Sequence, residues 1–237
     1  MKTRLVVATR KTESDFFENS ATGQSLAFNR RDMGNFISFN TTEPLELRLF
    51  PENTRGLPAV YNEAILEAQW DDIILVFAHD DVYFLDYFWV NRVQQGLENF
   101  DLIGLAGNRR RVPRQPAWAF VDTDFTWDSP EHLSGIVGQG ASFPPESLFM
   151  VGPTRQRVKL LDGVLLAIKG RTLRLNDLWF DERFDFNHYD LDLCRQVEQK
   201  GMTCGTWDIS VVHQSYGDFR SDSWTSSYNR YIEKWRE

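Results

Sequence analysis

Three chemically capable side chains, His79-Asp80-Asp81, follow, after Ala78, the apolar run Ile73-Ile74-Leu75-Val76-Phe77. Such a run, short and partly β-branched, reads as a strand covered on both faces. In open α/β sheets ligands bind beyond the carboxyl ends of the strands. Paired carboxylates there suit a hard divalent cation: Mg²⁺ and Mn²⁺ take oxygen ligands and share their remaining positions with substrate phosphates. Capping of a following helix is the plainer role for the same two aspartates. Further along, Asp190 and Asp192 open the segment Tyr189 to Lys200, where a helix macrodipole keeps a carboxylate ionised. At a pocket wall such a group can accept the proton of an attacking hydroxyl. Capping again competes, and Asp192 with Arg195 reads as a helix-surface ion pair. His213 ends the run Val211-Val212; it reads first as a hydrogen-bonded core residue and second as a ligand.

The elements that must position these groups follow from periodicity. Leu5 to Ala8 and Leu45 to Phe50 read as strands, with a polar, irregular stretch from Thr9 to Asn40 between them. Gly56-Leu57-Pro58 opens a helix, since proline suits the first turn, and Val60, Tyr61, Ala64, Ile65 and Ala68 recur at helical spacing. After Asp81 an amphipathic helix is expected with Phe84, Leu85, Phe88, Val93 and Leu97 on one side, then a strand over Leu102 to Ala106. Strand, helix and strand in this order imply a parallel or mostly parallel sheet. The proline-rich segment 107–157 has no clean period, which marks it as functional or mobile. A single strand over Leu160 to Ile168, a helix from Tyr189 to Lys200, a strand ending at His213 and a C-terminal helix over 221–237 complete one domain, residues 1–237.

Composition narrows the function classes. Lys plus Arg is 26 and Asp plus Glu is 34, a net charge of −8, which argues against nucleic acid or an anionic membrane as the main partner while allowing a local phosphate pocket. No apolar run approaches the roughly 20 residues of a membrane helix, so no transmembrane segment is expected. The apolar part of Met1 to Arg10 is only Leu5-Val6-Val7-Ala8, short of the roughly 7–15 residues of a secretory core. Cys194 and Cys204 are too few for a disulfide framework, and a cytoplasmic protein with two reduced thiols is expected. Aromatic residues are 14% of the chain, with 8 Trp and 18 Phe; a core uses most of these, and a sugar-stacking surface would add to them.

Together Gly56-Leu57-Pro58-Ala59-Val60-Tyr61-Asn62, Val76-Phe77-Ala78-His79-Asp80-Asp81-Val82, Leu161-Asp162-Gly163-Val164, Phe180-Asp181-Glu182 with Tyr189-Asp190-Leu191-Asp192-Leu193, and Val212-His213 resemble a GT-A glycosyltransferase of the family 2 type. The resemblance implies an α/β, Rossmann-like fold with a mixed, mostly parallel central sheet flanked by helices. It implies an inverting enzyme that moves a sugar from a nucleoside-diphosphate sugar to an acceptor hydroxyl with Mn²⁺ or Mg²⁺. Position by position, Asp81 matches the last acid of the Asp-x-Asp motif and Asp80 its middle residue, while His79 stands where the first acid is usual. Asp190 matches the catalytic base, with Tyr189 in place of the glutamate before it, and Asp192 matches a structural acid. His213 matches a histidine that completes the metal shell in some GT-A enzymes. Thr9 and Arg10, with Asn62, fall on the nucleotide side. Asp162-Gly163 resembles the acceptor-side turn, and the segment 107–157, with Trp118 and Trp127, would form part of the acceptor site and act as a lid. Two other function classes fit the same residues: a metal-dependent phosphohydrolase, and a non-catalytic nucleotide-sugar or carbohydrate-binding module, the latter favoured by His79 and Tyr189.

Overall fold

A computed structural model describes residues 1–26, 30–32, 35–37, 44–68, 72–141, 145–215, 217 and 219–237. The chain runs β1 (Lys2–Ala8), α1 (Glu13–Asn19), α2 (Ala21–Ser25), β2 (Arg30–Asp32), β3 (Asn35–Ile37), β4 (Pro44–Phe50), α3 (Leu57–Ala68), β5 (Ile73–Ala78), β6 (Val82–Phe84), α4 (Trp89–Asn99), β7 (Leu102–Gly104) and β8 (Ala106–Asn108). It continues through β9 (Leu133–Gln139), β10 (Ser147–Gly152), β11 (Arg157–Val158), β12 (Leu160–Leu161), β13 (Leu165–Lys169), α5 (Gly170–Leu175), α6 (Tyr189–Gln199), β14 (Cys204–Thr206), β15 (Val211–His213) and α7 (Asp222–Trp235).

The main sheet has the order β11-β14-β7-β13-β5-β1-β4-β3-β2 among the described residues. β4, β1 and β5 are parallel, and β13 lies antiparallel between β5 and β7. Because β14 is parallel to β7, the strands β4, β1, β5, β7 and β14 all point the same way, which is the mixed, mostly parallel arrangement the sequence implied. Every residue of β5 is buried, as the unbroken apolar run requires. One face of the sheet, with Val6, Leu75, Phe77 and Ile168, packs under α3, α6 and α7; the other, with Leu5, Val7, Val76 and Ile103, packs under α4 and Phe16 of α1.

A second sheet, β12-β8-β9-β15-β6 with β10 paired to β9, was not foreseen. The chain steps from one sheet to the other between β5 and β6, β7 and β8, β12 and β13, and β14 and β15. This arrangement corrects several expectations. Phe84 does not begin a helix: it belongs to β6, whose pairing to β15 (Val211 with Phe84, His213 with Val82) is non-local and invisible to periodicity. The helix starts later, at Trp89, after Asp86 accepts from the Phe88 N–H at 2.7 Å. The stretch Leu160 to Ile168 is two strands in different sheets, bent at Asp162-Gly163-Val164. The segment 107–157 holds the β9–β10 pair, and Thr9 to Asn40 holds α1 and α2 as well as two short strands, with part of it outside the described residues.

Helix α7 closes the domain. Ser221 caps it by accepting from the Trp224 N–H, and Trp224, Tyr228 and Tyr231 are buried. Its far end is held by Asp192, whose side chain is fully buried: Lys234 Nζ lies 2.7 Å from Oδ1, Trp235 Nε1 donates at 3.0 Å and Gln196 Nε2 at 2.8 Å. Asp192 therefore pairs with Lys234 and not with Arg195, which instead meets Glu237 at 2.8 Å and stacks over Trp235. Removing this carboxylate leaves the Trp235 indole N–H unpaired, although Gln196 keeps the Trp179 carbonyl at 2.9 Å and Lys234 keeps Asp181 at 2.7 Å. Asp192→Ala is expected to lose about 1–3 kcal/mol in urea denaturation and to speed amide exchange in α7; unchanged exchange there would mean that α7 is held by apolar packing alone.

Candidate active site

The turn after β5 is fixed from below. Thr22 Oγ1, on α2, lies 2.8 Å from the His79 and Val82 carbonyls and accepts from the Val82 N–H at 3.2 Å. Thr9 follows β1 as Asp80 follows β5, and in the parallel register the Thr9 hydroxyl donates to Asp80 Oδ2 at 2.5 Å. Because His213 is paired with Val82 across β15 and β6, it comes to lie beside Asp81, with Nε2 3.5 Å from Oδ1. His79 Nδ1 is 4.0 Å from the same oxygen. One ligand atom from each of His79, Asp81 and His213 lies within 4.8 Å of the others.

Donor chemistry supports a cation at this point. Asp81 Oδ1 is buried and accepts no hydrogen bond. Burial alone would raise the Asp81 carboxyl, but the adjoining His213 and His79 outweigh it and keep it ionised well below the usual carboxylate range. Burial drives His79 down, towards the neutral imidazole that a metal ligand must be. His213 is depressed by burial too, but Asp81 outweighs that and raises it. An orphaned carboxylate oxygen facing two imidazoles fits a divalent cation.

Helix α6 supplies the other half of the site. Its N-cap is His188, buried, in the left-handed region at φ 64°. His188 Nε2 must donate to the Pro116 carbonyl at 3.1 Å, and Nδ1 meets the Ser227 hydroxyl on α7 at 3.0 Å. Burial lowers His188 to about 4. The next two residues dock on Gly163 in the β12–β13 bend: the Gly163 N–H donates to Asp190 Oδ2 at 2.9 Å, and the Tyr189 hydroxyl donates to the Gly163 carbonyl at 2.9 Å. A Cβ on Gly163 would stand 2.5 Å from the Tyr189 oxygen and 3.1 Å from the Asp190 Cβ, so only glycine allows this approach. Asp190 also accepts from the Leu191 N–H at 2.9 Å. Burial, reinforced by the charge of Asp162, pushes Asp190 up to about 7 despite these bonds, the range of a general base at neutral pH.

His79, His213, Asp162, Gly163 and Asp190 line one cavity of about 380 Å³. Trp118 and Trp127 line it too, in different roles. Trp118 is partly buried and its indole N–H holds Asp162 Oδ2 at 3.0 Å, whereas Trp127 is 46% exposed and offers an open face. Phe149, Phe186 and Phe219 extend the aromatic wall; sequence reasoning missed them because they come from separate loops and strands. It also missed the bracing roles of Thr22 and His188. Thr9 and Asp80 sit beside this cavity rather than in it, and Arg10 is exposed. Asn62 does not line it: its amide donates to the Phe180 carbonyl at 2.8 Å and Glu182 at 3.0 Å and accepts from the Phe180 N–H at 3.0 Å, bracing α3 against the approach to α6.

No protein-family model matches the sequence, and no curated protein does. Solved structures do. GalNAc-T7, crystallised with UDP, GalNAc and Mn²⁺, is similar over 98% of this chain at a TM-score of 0.58 and 11% identity. The fold is GT-A. TarS 1–349 from S. aureus, in complex with UDP-GlcNAc, gives a TM-score of 0.50 at 14% identity over 94% of this chain. The chain spans 48% of the GalNAc-T7 chain and 61% of the TarS chain. Among the described residues no helix is long and apolar enough to cross a membrane.

In this GT-A domain a charged Asp190 opposes folding. Its ordinary carboxyl value is 3.8 and its folded value about 7, so the folded state holds a proton that the unfolded state has lost, and stability falls as pH rises through that window. At about 1.4 kcal/mol per unit, less what the lost oxygen contributed to its backbone donors, Asp190→Asn is expected to stabilise the protein by about 1–3 kcal/mol at pH 8, with the gain gone at pH 4. Urea denaturation of both proteins at both pH values checks this; an Asn variant whose gain over wild type is no larger at pH 8 than at pH 4 contradicts the elevated carboxyl.

Proposed function

We propose that the chain is a metal-dependent, inverting glycosyltransferase that moves a sugar from a nucleoside-diphosphate sugar to an acceptor hydroxyl. One observation carries this: the His79–Asp81–His213 cluster, with its orphaned carboxylate oxygen, supplies two residues to the same cavity that Asp190 lines. The UDP and UDP-GlcNAc bound in the similar GT-A structures make a UDP-sugar the first donor to test.

His79, Asp81 and His213 would hold the cation. When bound, it neutralises charge on the departing diphosphate. Two imidazoles in the set favour Mn²⁺ over Mg²⁺, which prefers all-oxygen shells. Asp190 Oδ accepts the proton of the acceptor hydroxyl as that oxygen bonds to the anomeric carbon and the diphosphate leaves with its bonding pair. The two backbone donors on Asp190 hold it in place for this step. Trp127 and Phe149, 5.3 Å apart between ring centroids, present apolar faces to sugar C–H groups as the acceptor wall, and the segment 107–157 that carries them is assigned the role of lid. Thr9, Arg10 and Asp80 are assigned to the nucleotide side. Cys194 and Cys204 are buried and unbridged, which fits a reducing compartment such as the cytoplasm.

The test is nucleoside diphosphate release from a panel of donor sugars, with and without candidate carbohydrate acceptors. Turnover is expected with Mn²⁺ above Mg²⁺, and loss of it in EDTA or in Asp81→Ala. Asp190→Asn is expected to keep donor affinity and to lose about 10²–10⁴-fold in turnover, the usual contribution of a general base. Release that no acceptor accelerates would favour the phosphohydrolase, and binding without release a non-catalytic module. Near-normal transfer by a folded Asp190→Asn protein rules out the base assignment.

A further inference from the structure

His79 and Tyr189 are the two positions where the chain departs from the acidic motifs of the glycosyltransferases it resembles, and they touch: His79 Nε2 is 2.9 Å from the Tyr189 hydroxyl. That hydroxyl has one hydrogen, and besides the Tyr61 hydroxyl, which can donate to it or accept from it, it meets His79 and the Gly163 carbonyl. The Gly163 carbonyl, 2.9 Å away, can only accept. Both contacts are satisfied in a single way, with Tyr189 donating to Gly163 and His79 donating from Nε2 to the Tyr189 oxygen. A neutral imidazole carries one N–H, so Nδ1 is left with its lone pair. That atom lies 4.0 Å from Asp81 Oδ1, itself buried without a donor. The same oxygen faces His213 Nε2 at 3.5 Å, so a cation placed between Nδ1 and Oδ1 would be shared by all three side chains. The ring plane is held as well, by Phe186 stacked at 5.4 Å and 30°.

We infer that Tyr189 is a positioning residue: its hydroxyl, anchored on Gly163, locks His79 in the Nε2–H tautomer and so presents Nδ1 as a metal ligand towards Asp81 and His213. The two departures are then one change. An imidazole replaces the usual carboxylate ligand, and a phenol replaces the neighbouring glutamate because the imidazole needs a fixed acceptor for its other nitrogen. A carboxylate at position 189 would have no hydrogen for the Gly163 carbonyl, whereas tyrosine offers both a donor and an acceptor. This role rests on the metal site proposed above, and its test separates the two.

The chain has four histidines, so long-range ¹H–¹⁵N correlation of metal-free protein, with His79→Gln to assign the signal, reads the His79 tautomer directly. Calorimetry with Mn²⁺ alone reads affinity. Wild-type protein is expected to show His79 protonated at Nε2, and Tyr189→Phe to show mixed tautomers with Mn²⁺ bound about 10–100-fold more weakly, the usual effect of losing a partner behind a ligand. Glutamine at 79 keeps a donor for Tyr189 but loses the Nδ1 ligand, so adding Tyr189→Phe to His79→Gln should change Mn²⁺ affinity no further. Protonation at Nδ1 in wild type overturns the inference even if Tyr189→Phe does not fold, as does a folded Tyr189→Phe with unchanged tautomer and affinity, or an equal loss in the His79→Gln background. Wild-type protein that takes up no Mn²⁺ overturns the metal site and the orienting role with it; an Nε2–H tautomer in that same sample shows that the metal site, not the hydrogen-bond assignment, is what failed.

Discussion

One residue without a side chain holds the two halves of the site in register. Gly163 gives its N–H to Asp190 and its carbonyl to Tyr189, and the absence of a Cβ lets the first turn of α6 settle directly on the β12–β13 bend. Through Asp190 this contact sets the position of the proposed base; through Tyr189 and His79 it reaches the proposed cation site. A single backbone unit thus relates two chemistries carried by distant parts of the chain. Backbone groups suit this task because they have no rotamers to lose and their directions are set by the sheets on either side.

The scaffold around that contact is built to keep α6 from moving. His188 ties its start to the Pro116 carbonyl and to Ser227 of α7, and Asp192, one turn on, ties its first coil to the end of α7. Asn62 and the Gly56-Leu57 turn hold the incoming strand of chain, with the Leu57 N–H donating to Asp185 at 2.7 Å. The elevated carboxyl of Asp190 is the strain this bracing sustains: a group kept partly protonated by burial works against folding.

Much of this was legible in the sequence, and what was not has a common cause. The all-apolar run of β5 and the helical spacing of α3 speak for themselves because their burial is local in pattern. That Asp81, Asp190 and His213 stand at element ends could also be read from the pattern. The second sheet could not, because β6, β8 and β12 are two or three residues long and exist only through partners far away in sequence. Phe84 kept its helical spacing on paper and lost it to pairing with Val211. For the same reason Asn62 read as a ligand contact when its amide is committed to Phe180, and Tyr189 read as a deficiency before its contact with His79 was visible.

The repeated stepping of the chain between sheets bears on how this domain comes apart. β5 runs into β6, β7 into β8, β12 into β13 and β14 into β15 with only short connections, so neither sheet is a separable layer. The site residues lie at or beside these steps, His79 to Asp81 at the first and Asp162-Gly163 at the third. Loss of either sheet pulls directly on the strands of the other. The strand-end part of the cavity is therefore tied to the cooperative core, and the amides of His79 to Asp81 and of Asp162-Gly163 should be protected to nearly the full free energy of global unfolding.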